Sequence, residues 1–155
     1  VEKVERVAER VGGVLMAKPV LKAGKCIVQK KRAITINASG TRYTYSLAFD
    51  ITFKNYKADG TALNKAEIYL LPEEFPFFSY TLKNYELPLP PHHKLRISSD
   101  QHVVCFTVKT IEAPENFARR LSAALKIVEQ SEVTEKFLNQ TENKKKRGAR
   151  NVGQI

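Results

Sequence analysis

Six cations and no acid occupy residues 22–42: Lys22, Lys25, Lys30, Lys31, Arg32 and Arg42. Five more, Lys144, Lys145, Lys146, Arg147 and Arg150, fall within residues 144–155, again with no acid between them. These two stretches account for the formal charge of +10, because the remainder of the 155 residues is nearly neutral. Cations gathered in this way suit a polyanion, since each Lys or Arg that neutralises a phosphate releases a condensed counterion. The competing reading is a solvated basic surface with no ligand. Rings lie close by, in Arg42-Tyr43-Thr44-Tyr45. Unpaired bases stack on such rings while cations hold the backbone. Tyr45 alternates in phase with Leu47, Phe49 and Ile51, which assigns it to a core face; Tyr43, nearer a hairpin end, is the candidate stacking ring.

Groups for catalysis are few. The chain has three Asp (Asp50, Asp59, Asp100) and three His (His92, His93, His102), and it lacks G-x-S-x-G, G-x-x-x-x-G-K, H-E-x-x-H and C-x-x-C. His92 and His93 are adjacent without a third ligand at workable spacing, so they are read as loop histidines rather than a metal site. Asp100, His102 and Cys105 are close in sequence, but on a strand Cys105 faces away from His102, which assigns Cys105 to the core. The expectation is a protein that is not an enzyme and needs no metal or other cofactor. Cys26 and Cys105 do not make a disulfide framework. With no apolar run near the ~18 residues of a membrane span and three Glu in the opening VEKVERVAERVGG, an intracellular setting, cytoplasm or nucleus, is expected.

The elements that would position these groups follow from periodicity. Val4, Val7, Val11 and Val14 recur at helical spacing, predicting a helix over about residues 2–11 that Gly12-Gly13 interrupts. Its valine seam is expected to dock on a sheet, with a contact to a second copy as the alternative. Residues 26–37 and 42–54 read as a hairpin around Asn37-Ala38-Ser39-Gly40, its first half one bulged strand or two short ones. Ala66–Leu71 reads as a short buried strand. Phe75–Tyr85 reads as an extended segment punctuated by Pro76, with core filling preferred over membrane insertion. Leu87–Pro91 has polyproline character. Lys94–Ser98 and His102–Ile111 read as a last hairpin. From Pro114 a helix carries Phe117, Leu121, Ala124, Leu125 and Val128 inward and Arg119, Arg120 and Lys126 outward; Ser131 can cap a second one.

The expected fold is α+β: a curved antiparallel β-sheet or small barrel of about six strands, an N-terminal helix and one or two C-terminal helices. It spans residues 1–139, and 140–155 form a disordered basic tail. The expected function is non-catalytic nucleic-acid binding, with RNA or single strands favoured, through the basic hairpin face and the basic C-terminal arm. The alternatives are a self-assembling matrix-like protein on anionic membrane surfaces and, behind it, a protein-interaction module that docks through Leu87–Pro91.

Overall fold

The computed structural model describes residues 3–100 and 102–129 and, within them, all side chains but those at 36, 38 and 45. The second C-terminal helix expected from Ser131 and the tail with Lys144–Arg147 and Arg150 lie outside the described residues.

Twelve residues, Val4–Leu15, form helix α1. Gly12-Gly13 does not break it, contrary to expectation, because Gly12 is where the chain folds back on itself. A Cβ at Gly12 would lie 2.5 Å from Pro19 Cδ and 2.7 Å from the Ala17 carbonyl oxygen. The helix ends at Met16, left-handed at φ 57°, and the Ala17 N–H donates to the Gly12 carbonyl at 3.0 Å. Val7, Val11 and Leu15 are buried in the core, and Val4 and Val14 pack against it, so the valine seam docks on its own sheet as expected.

Among the described residues six strands form one open antiparallel sheet: β1 (Val20–Lys22), β2 (Lys25–Ala38), β3 (Thr41–Lys54), β4 (Ala62–Leu70), β5 (Lys94–Ser99) and β6 (Val104–Glu112), in the order β1-β2-β3-β4-β6-β5. β1 and β5 are its two edges, and it does not close into a barrel. The hairpin expected from alternation is present, with β2 one continuous strand paired from Cys26↔Phe53 to Ala38↔Thr41. β4 pairs with only Phe49–Lys54 of β3. Beyond Phe49 the hairpin therefore continues as a two-stranded arm, rooted on Ile34, Leu47 and Leu71 and turning at Ser39-Gly40.

Phe75–Lys83 is helical (α2), not extended. Pro76 falls in its first turn, where proline's missing N–H is no loss, and Phe78 and Leu82 share the buried side. Residues 114–129 form the third helix, α3. Its stripe is buried as expected, except that Arg120 points inward: it is 1% exposed and pairs with Glu112 at 2.8 Å. Arg120 also donates to the carbonyls of Leu87 (2.8 Å) and Pro88 (3.0 Å), pinning the proline-rich loop. Arg10 of α1 reaches Glu115 of α3 at 3.2 Å, and the Ser122 hydroxyl donates to the Val14 carbonyl at 3.1 Å, so the two helices lie together. All three helices contribute to one core with Cys26, Val28, Phe49, Phe53, Ile68, Phe106 and Val108. They cover one face of the sheet, and among the described residues nothing packs over the other, called here the uncovered face.

Candidate functional site

Strand alternation decides which cations reach the uncovered face. Cys26 and Val28 point to the core, so Lys30 and Arg32, in phase with them, point to the helix side, and only Lys31 of that trio points away. Lys30 donates to the Leu15 carbonyl at 3.2 Å, a cation at the C-terminal end of α1, and sits 5.5 Å from the Phe49 ring centre. Arg32 makes a two-pronged pair with Glu74, one bond at 2.7 Å, while Glu74, 1% exposed, also accepts the Leu71 N–H at 2.8 Å. The expectation that Lys30, Lys31 and Arg32 form one phosphate-contacting set is corrected: two of the three hold the fold together. Lys22 and Lys25 are exposed at the β1–β2 turn. Arg42 and Tyr43 are exposed near the tip of the arm, about 40 Å from Lys25 at the usual rise along a strand. The hairpin cations thus do not make one patch.

A different set does. On the uncovered face Thr52, Lys65, Lys109 and Lys94 stand in one row across β3, β4, β6 and β5, each opposite the next. One step along, Lys54, Leu63 and Ile111 make a second row. Together with Lys25 and His92 these residues line a depression of about 430 Å³ whose lining holds five lysines and no carboxylate. Like charges opposite each other on neighbouring strands destabilise a sheet, so this row opposes folding unless an anion lies on it. The nearest relief is the adjacent row with Asp50 and Glu67; Glu67 approaches Lys65 at 3.9 Å with both side chains well exposed. A second depression, of about 570 Å³, continues over Glu67, Tyr69, Arg96 and Cys105.

Lys54, Lys65, Lys94 and Lys109 are scattered along the chain outside both basic segments, so no run of charge marks them. The usable signal is alternation: Leu63, Lys65, Glu67 and Tyr69 form the polar phase of β4, as Lys94, Arg96 and Ser98 do in β5.

The chain matches no family model, no curated protein and no solved structure. Its chemistry is therefore read from this face.

Cys105, expected in the core, is half-buried on the uncovered face opposite Tyr69, whose hydroxyl it pushes up to about 12. Asp100 accepts the backbone N–H groups of His102 (2.7 Å) and Val103 (2.9 Å), which hold its carboxyl below the usual range and shape the β5–β6 turn. His93 contacts the Pro90 carbonyl at 2.6 Å, while His92 is exposed at the lysine depression. Among the described residues no three His, Cys, Asp or Glu side chains come together as a metal site, and no helix is long and apolar enough to cross a membrane.

Proposed function

We propose that this chain is a non-catalytic nucleic-acid-binding protein whose contact surface is the uncovered face of the sheet, centred on Lys54, Lys65, Lys94 and Lys109. The observation that carries the reading is the row of three directly opposed lysines, Lys65, Lys109 and Lys94, beside which the nearest acid is Glu67 on the adjacent row, 3.9 Å from Lys65. One carboxylate does not balance three ammonium groups, and a phosphate backbone supplies the closely spaced negative charge that would. Lys25 and Lys31 extend the same face, and Arg42 on the arm offers a more distant contact. The C-terminal cations Lys144 to Arg147 and Arg150 add a second basic segment to the same reading.

The membrane-surface alternative has its own support in Phe77 and Tyr80 of α2, which are 55% and 70% exposed. Yet α2 packs on the covered face, so one flat bilayer cannot meet these rings and the lysine row together. Anisotropy titrations with RNA, single-stranded DNA and duplex over a range of salt test the proposal. The double variant Lys65→Ala/Lys109→Ala is expected to bind more weakly, with a salt slope shallower by about one to two. A slope identical to that of the unaltered protein removes this face from the binding surface.

A further inference from the structure

The lysine row borders an aliphatic pair that a bare phosphate would not use. Leu63 and Ile111 stand opposite each other on β4 and β6, two residues along from Lys65 and Lys109 on the same face, and all four line the depression of about 430 Å³. Ile111 is 59% exposed and Leu63 half-buried, so an apolar surface lies open beside concentrated positive charge. The matching ligand is anionic at one end and apolar and flat at the other. Two residues of strand put the aliphatic pair about 7 Å from the lysine row, comparable with the reach from a nucleotide's phosphate to its own base.

We propose that this depression takes one unpaired nucleotide of a single strand, its phosphate on Lys65, Lys94 and Lys109 and its base against Leu63 and Ile111. The inference rests on the nucleic-acid reading and narrows it. In a duplex the base faces are stacked on each other, leaving phosphates but no face for the aliphatic pair; an unpaired base offers both. The volume falls in the range of pockets for small molecules, which suits one nucleotide.

The test uses the full chain and four probes: a single-stranded oligonucleotide, the same strand carrying abasic positions, a duplex, and vesicles of phosphatidylserine and phosphatidylcholine. The unaltered protein is expected to prefer the intact single strand over both the abasic strand and the duplex. Ile111→Gln, a change at an exposed position, should weaken intact single-strand binding about fivefold while leaving the salt slope and the abasic affinity unchanged. Lys109→Gln should weaken all three polymers and flatten the slope. Equal affinity for intact and abasic strands in the unaltered protein overturns the base contact and leaves the phosphate reading standing. Binding to the vesicles but to none of the polymers overturns the nucleic-acid reading itself.

Discussion

Lys65 of β4 and Lys109 of β6 stand directly opposite one another on the uncovered face, and Lys109 has Lys94 opposite it on its other side. A sheet optimised for stability would alternate the signs of such a row, as directly opposed like charges each oppose pairing by a few tenths of a kcal/mol or more.

Replacing the central lysine should therefore stabilise the protein while weakening its binding. Lys109→Gln is expected to raise the unfolding free energy at low salt by about 0.2–1 kcal/mol. The gain should shrink at high salt, where exposed charges are screened. Urea unfolding at two ionic strengths measures it, and a variant no more stable at low salt would mean that the row carries no repulsion.

Neighbouring cations of the basic run should behave in opposite ways. Arg32 is paired with the buried Glu74, so Arg32→Ala leaves an uncompensated carboxylate and should destabilise by about 3–5 kcal/mol. Lys31, exposed on the other face, should change stability by no more than about 0.5 kcal/mol on replacement by Ala. Chemical denaturation of the two single variants separates them. Binding lost in a combined Lys30, Lys31 and Arg32 variant would report damage to the fold as much as to an interface.

Arg120 and Glu112 form the second buried pair, and Arg120 additionally holds the loop carbonyls of Leu87 and Pro88. Arg120→Leu should destabilise by about 3–5 kcal/mol, since Glu112 is left without its partner. Arg120→Leu combined with Glu112→Leu should recover part of that loss, because the unpaired charge is then gone, but not all of it, because two backbone carbonyls still lose their donor. A double-mutant cycle by urea unfolding, with proteolysis at residues 84–93 as a local readout, checks both parts.

The fold was legible where one face is apolar and the other polar. The alternation from Leu47 to Phe53 and the valine spacing of α1 each bury a single face, so the hairpin, the N-terminal helix and the α+β class could be read from sequence. Phe75–Lys83 resembles an irregular strand in its proline, Pro76, and its rings, whereas Phe78 and Leu82 at helical spacing are what bury it. Gly12 misled because its low helix propensity is outweighed by the close approach of Pro19. The candidate site was the least legible part. Lys65 and Lys109 lie 44 positions apart, and their adjacency depends on the β4–β6 register, which no local pattern specifies. Conversely Lys30 and Arg32 look like a basic patch in the chain, and alternation turns them inward to a helix end and a buried glutamate.

The two thiols offer a last test, one that depends on which side of the sheet each occupies. Cys26 is fully buried under the helices, and burial lifts its thiol from the ordinary 9.0 to about 11, while Cys105 is half-buried on the uncovered face. Below pH 9 both the folded and the unfolded Cys26 are protonated, so the group adds no pH dependence there. Between pH 9 and 11 the unfolded chain loses the proton while the folded one retains it, so stability should fall as pH rises through that window. Cys26→Ala removes this component, and the stability difference between the unaltered protein and the variant should narrow steadily from pH 9 to 11. In the folded protein near pH 8, alkylation followed by peptide mass analysis should modify Cys105 first and leave Cys26 unlabelled until the chain is unfolded. Labelling of both thiols at equal rates would contradict the placement of Cys26 beneath the helices.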